Sequence, residues 1–144
     1  MTRRWKRDQK YHDRPRTLYA LLFNNGACYI GQSIDAQERL TQHRSPRGGW
    51  CGASFKMIEL GTVIGTQLEC EDYEYAWRYK AYKAGWVVYG KPPNVVINPT
   101  RRLTLKRRAF ALTLRWPSKY SRRARLWPWT VGILALTVLA ILFL

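Results

Sequence analysis

Residues 17–43, TLYALLFNNGACYIGQSIDAQERLTQH, constrain the fold of this chain more than any other stretch. Leu18 to Phe23 is an apolar run that ends at Asn24-Asn25-Gly26. Asn and Gly tolerate the positive φ a tight hairpin needs, so the run is expected to turn back on itself, with Ala27 to Gly31 as the returning strand. Ser33-Ile34-Asp35 then opens a helix, with Asp35 as N-cap and Glu38 completing a capping box. Tyr19 and Tyr29 therefore lie on neighbouring strands. Arg39 and His43, at i and i+4, share one helix face. Phenol, guanidinium and imidazole groups gathered beside a basic surface are the parts that handle a phosphodiester.

The surface is basic. Of 144 residues, 25 are Lys or Arg and 9 are Asp or Glu, a formal net charge of +16. Residues 1–16 hold seven basic side chains against two acidic, residues 101–125 hold ten against none, and residues 17–100 hold eight against seven. A near-neutral body flanked by two cationic arms implies a polyanionic partner, although charge of this kind also serves solubility. Cys28, Cys51 and Cys70 are odd in number and widely spaced. That argues against both a disulfide framework and a zinc site.

Further along, Ser45-Pro46 and Gly48-Gly49 mark 44–54 as a loop. Phe55 to Leu60, continuing through Val63 and Ile64, reads as a third strand. Leu68 to Ala84 has no Gly or Pro, and Gly85 stands where a C′ residue belongs. Tyr73, Trp77, Ala81 and Ala84 form one stripe of that helix. Glu74 and Arg78 lie one position round from it, again i and i+4. The expected architecture is α/β of the α+β kind, a small three-stranded antiparallel sheet flanked by helices. Segment 101–120 mixes Leu, Phe and Trp with Arg and Lys at no clear period, and an amphipathic interfacial element is one reading of it.

Residues 130–144, TVGILALTVLAILFL, carry no charge, and the run from Leu126 has 19 residues. As a helix it would cover roughly 28 Å, about the thickness of bilayer hydrocarbon. Trp127 and Trp129 lie where an interfacial belt would be, and SRRAR (121–125) precedes them. A single-pass membrane helix over 126–144 is expected, with the body of the protein on the cytoplasmic side; a buried core helix is the plainer alternative. Residues 1–16 do not have the form of a signal peptide.

The Tyr29-Ile30-Gly31 triplet, Tyr19 ten positions before Tyr29, Arg39 eight positions after Gly31 and His43 four further on resemble the GIY-YIG endonuclease family. Thr17-Leu18-Tyr19 stands where that family has Gly-Ile-Tyr. The resemblance covers about residues 17–98. It implies that Tyr19 and Tyr29 act as general base and helper, that Arg39 binds the scissile phosphate, that His43 assists and that Gly31 is structural, allowing a close backbone approach. It further implies that Glu74, three residues ahead of Trp77, is the single ligand of Mg²⁺ or Mn²⁺, and that Asn94 or Asn98 fills the family's Asn position. Glu69, Glu71 and Asp72 are alternative ligands, expected on other helix faces. Taken one at a time these residues have simpler readings: strand tyrosines pack, and Glu74 pairs with Arg78. Lys56, Arg78, Arg101 and Arg102 join Arg39 as candidate contacts to a nucleic-acid backbone.

The expected organisation is a basic arm (1–16), a nuclease domain (17–98), a basic juxtamembrane segment (99–125) and a membrane helix (126–144). The expected function is a membrane-tethered, divalent-metal-dependent endonuclease acting on DNA rather than RNA. A non-catalytic nucleic-acid or anionic-lipid binding protein on the same fold is the alternative, and a basic structural protein at the membrane is a third.

Overall fold

A computed structural model describes residues 14–90 and 95–123. Strand β1 (Pro15–Phe23) turns into β2 (Ala27–Ser33), and helix α1 (Ala36–Arg44) follows. Next come β3 (Phe55–Ile64), helix α2 (Gln67–Lys83) and the short strand β4 (Val87–Tyr89). A 3₁₀ turn (Pro99–Arg102), helix α3 (Leu105–Thr113) and a second 3₁₀ turn (Ser118–Tyr120) complete the described body. The sheet order is β3-β1-β2-β4.

The hairpin forms as its turn residues require. Gly26 sits at φ +86°, its N–H bonds to the Phe23 carbonyl, and the Asn25 side chain accepts from the Ala27 N–H. The resulting register sets Tyr19 opposite Gly31 and Leu21 opposite Tyr29. Because β1 is central and covered on both faces, its residues are almost continuously buried. Leu18, Ala20 and Leu22 pack with Ile30, Ile58, Trp77, Ala81 and Val88 under α2. Tyr19, Leu21 and Phe23 pack with Tyr29 and Trp50 on the other face. Full burial of each large side chain is worth about 1.5–3 kcal/mol, so these two layers hold the sheet.

The caps fix where the helices lie. The Asp35 side chain accepts from the Glu38 N–H, as expected, but the Glu38 carboxylate accepts from Gln42 instead of reaching back to complete the box. The full capping box is at α2, between Thr66 and Glu69. Helix α2 ends in a Schellman motif: Gly85 N–H bonds to the Tyr82 carbonyl and Trp86 N–H to that of Ala81.

One expectation is corrected: the sheet has four strands and is mixed, because Val87–Tyr89 pairs in parallel with Ala27–Tyr29. In the basic segment that follows, α3 lies against α2, with Phe110 stacked on Tyr73 at 4.1 Å between centroids and Asp72 held by Lys106 and Arg107. The carbonyl of Tyr120 accepts from both the Trp86 and Trp116 indoles. The apolar run 126–144 and most of arm 1–16 lie outside the described residues. Among the described residues, no helix is long and apolar enough to cross a membrane.

Candidate active site

The site begins at Gly31. Tyr19 on β1 and Tyr29 on β2 point to the α1 face of the sheet, with ring centroids 6.5 Å apart. A β-carbon added to Gly31 would stand 2.5 Å from Tyr19 Oη, 2.7 Å from its Cζ and 2.9 Å from Tyr29 Cε1. The bare α-carbon of Gly31 thus makes room for two phenol rings.

Helix α1 supplies the next layer. His43, only 4 % exposed, brings its Nε2 to 2.8 Å from Tyr19 Oη. With Nε2 unprotonated the phenol donates, and with it protonated the ring N–H donates. One turn earlier, Arg39 lies near enough to both phenols to interact with them and donates to Gln42. Burial alone would lower the Arg39 pKa, but the bonds and charges of Tyr19 and then Tyr29 outweigh it, so the net shift is upward. Trp50 leaves the 44–54 loop to pack on Tyr29, Phe23 and Tyr89. Tyr29, Arg39, His43, Arg47 and Trp50 line an open cavity of about 380 Å³.

Glu74 comes from the opposite face of the sheet, on α2. It pairs with Arg78 and accepts from Gln32 Nε2 at 3.3 Å. It lines a second cavity, about 530 Å³, with Gln32, Glu71, Arg78, Asn98, Arg101 and Arg102 among the walls. Gly90, which follows the end of β4 at Tyr89, lines both cavities. The phenols and the carboxylate are near enough to interact: burial raises the pKa of both tyrosines, and the Glu74 charge adds to the rise in each. Arg39 opposes it in both.

The structure sorts the remaining candidates. Glu71, expected on another helix face, lines the Glu74 cavity, because positions three apart are neighbours on a helix. Glu69 is used in the capping box and Asp72 in the α3 contact, where the Arg107 hydrogen bond and then Lys106 lower its pKa. Asn98 lines the cavity, but its Oδ1 caps the 3₁₀ turn through Thr100; Asn94 lies outside the described residues. Arg101 and Arg102 stand at the cavity, whereas Lys56 is directed to the other side of the molecule, 5.3 Å from the Tyr120 ring. Sequence reasoning missed Gln32, Arg47 and Trp50. Gln32 had left a signal, a polar residue closing an otherwise apolar strand.

Among the described residues, no three His, Cys, Asp or Glu side chains are grouped to hold a metal ion. The donor set still suits a hard cation of the Mg²⁺ kind, which is commonly held by one or two carboxylates with water and substrate phosphate completing its shell. Beside Glu74, Gln32 Oε1 is buried with no hydrogen-bond partner among the described residues. Its amide nitrogen is committed to Gln67 O and Glu74, so a neutral oxygen donor is left at the carboxylate.

Two buried phenols, an arginine and a helix carboxylate are the parts of a phosphodiester-cleaving site. Residues 16–84 match the family model of the GIY-YIG catalytic domain. Members of that domain family are endonucleases, and the match supports a phosphodiester hydrolase. A search of curated proteins and one of solved structures give no match.

Proposed function

We infer that this protein is a divalent-metal-dependent endonuclease, acting on DNA, held at the membrane by residues 126–144 with its catalytic domain on the cytoplasmic side. The observation that carries the enzymatic part is that the cavity of Tyr29 and Arg39 and the cavity of Glu74 share Gly90 as a wall.

The roles follow from what each group touches. Arg39 binds the scissile phosphate as a fork of N–H donors and balances the charge that develops on it. Tyr29 lines the cavity, so it is the phenol that meets the attacking water. Tyr29 takes the water's proton once ionised, a state that burial opposes and that the charges of Arg78 and then Arg39 favour. Tyr19 lies behind it, fully buried, and shares a hydrogen bond with His43. Glu74, with Gln32 Oε1, would hold the divalent ion. When bound, the ion supplies a Lewis acid for the leaving oxygen and positive charge near the phenols. The described residues carry no second reader domain, and the basic segments suit backbone contact without base readout.

Membrane tethering is supported by the apolar tail and by α3. Leu105 and Leu112 are 85 % and 86 % exposed and seven positions apart on α3, hence on one stripe beside Arg108. The enzymatic reading is tested by plasmid nicking with the full chain in non-ionic detergent, with Mg²⁺ and with chelator. Cutting that needs Mg²⁺ and disappears in Glu74→Ala is expected. Equal cutting by both proteins removes Glu74 from the mechanism. Flotation with anionic liposomes, retained by the full chain and lost when residues 124–144 are deleted, tests the tether.

A further inference from the structure

We propose that Arg78 is a latch on Glu74 that the substrate opens. In the free protein its guanidinium neutralises the carboxylate; when a divalent cation takes the carboxylate, the guanidinium transfers to a phosphate of the bound strand next to the one being cut. The inference rests on Glu74 being the cation's ligand, as read above.

Four observations place Arg78 in this role. It is 8 % exposed and ion-paired with Glu74 in the wall of the larger cavity. Its Nε is buried with no hydrogen-bond partner among the described residues. A guanidinium has five donors, and leaving one orphaned is costly. A phosphate reaching the side of Arg78 would accept from Nε and Nη together, which the present pairing with Glu74 does not achieve. The guanidinium is also held from behind. It lies 4.8 Å from the Tyr75 ring centre, and the same ring carries Arg107 at 3.8 Å, itself anchored 2.8 Å from Asp72. Released by Glu74, Arg78 would therefore stay in place rather than swing into solvent. Finally, the cavity already favours an anion: Arg102 donates to Tyr75 Oη at 3.1 Å, and Arg101 lines the same wall.

The consequence is ordered loading. A divalent ion on Glu74 in the free protein would sit beside an unneutralised guanidinium, which disfavours it. A phosphodiester on Arg78 removes that repulsion, so cation and phosphate tighten each other's binding, and by linkage each does so by the same factor. Couplings of this sort amount to roughly 5–150-fold.

The test is Mn²⁺ binding to the full chain in non-ionic detergent, followed by electron paramagnetic resonance, with and without dimethyl phosphate as an uncleavable phosphodiester. Arg78→Gln is expected to bind Mn²⁺ about tenfold more tightly than wild type without phosphate, within the coupling range above. Dimethyl phosphate is expected to tighten Mn²⁺ in wild type and to have no effect in Arg78→Gln. Arg78→Lys, which keeps the charge, should bind Mn²⁺ as weakly as wild type. Circular dichroism checks each fold, and Arg78→Met replaces the Gln variant if that one loses its helical signal. Mn²⁺ binding that is lost in Glu74→Gln but is equal in wild type and Arg78→Gln, or that ignores dimethyl phosphate in wild type, overturns the latch alone. Mn²⁺ binding that is unaffected by Glu74→Gln overturns the latch together with the reading it rests on.

Discussion

Replacing Gly31 by alanine is the smallest change that reaches the core of this site. The new methyl would lie 2.5 Å from Tyr19 Oη and 2.9 Å from Tyr29 Cε1, both far inside van der Waals contact. Tyr19, the ring most crowded, is fully buried and tied to His43 at 2.8 Å, and Tyr29 is backed on one side by Trp50 at 5.4 Å between centroids. Overpacking of this kind costs about 1–3 kcal/mol. For a domain of this size each kcal/mol lowers Tm by roughly 4–8 °C. The larger effect should be on cleavage, because moving a catalytic group by about 1 Å can cost 100-fold. Gly52→Ala is the control: its added β-carbon meets nothing within 4 Å, but the backbone is at φ +78°. It should lose about 1–2 kcal/mol through the left-handed backbone alone and keep its single-turnover rate. Thermal melts and single-turnover nicking read both quantities. A Gly31→Ala protein as stable and as fast as wild type would show that the two rings do not crowd this glycine, and the site geometry argued from them would fall.

Other consequences follow from the titrating groups. Burial raises the pKa of Tyr19 and Tyr29, and takes the Cys28 thiol up to about 12. The folded state therefore holds protons that the unfolded chain releases from about pH 8.5–10 upward, and stability should fall across that range in urea melts; a flat profile from pH 8 to 11 contradicts the burial. The single-turnover rate should climb with pH above neutrality as Tyr29 ionises, and Tyr29→Phe should remove both the rate and the slope. Asp72→Asn should cost about 0.5–1 kcal/mol by loosening α3, as partly exposed ion pairs do. The wild-type contribution is present above the ordinary carboxylate pKa and lost as pH falls through the lowered folded value, so the variant and wild type should converge in stability in strong acid.

Local signals made much of this legible. Asn24-Asn25-Gly26 marked the hairpin, Asp35 and Gly85 marked helix ends, and the Tyr73–Trp77–Ala81–Ala84 stripe marked the buried side of α2, because each depends on residues within a turn or two. Tyr19, Tyr29, Arg39 and His43 lie together on the α1 side of the sheet. Strand β4 was not legible. It is three residues long, and its parallel partner is separated from it by a whole crossover, so no local pattern announces it. Gln32 and Gly90 line a cavity assembled from β2, α2 and the segment after β4, which no local pattern shows. Trp50 was hidden for a related reason, since a loop residue's packing is set by the body it folds onto. Glu71 was misplaced through its helix angle, and the Thr66–Glu69 box was passed over although Thr and Glu stand at the required spacing.

The central claim is that the phenol on β2 and the carboxylate on α2 act on one phosphate from two sides of the sheet. Single-turnover nicking by wild type, Tyr29→Phe, Glu74→Gln and the double variant tests it as a cycle. Groups that act as a unit are strongly non-additive, so the double variant should be no slower than the slower single one. Losses that multiply independently would contradict a shared site.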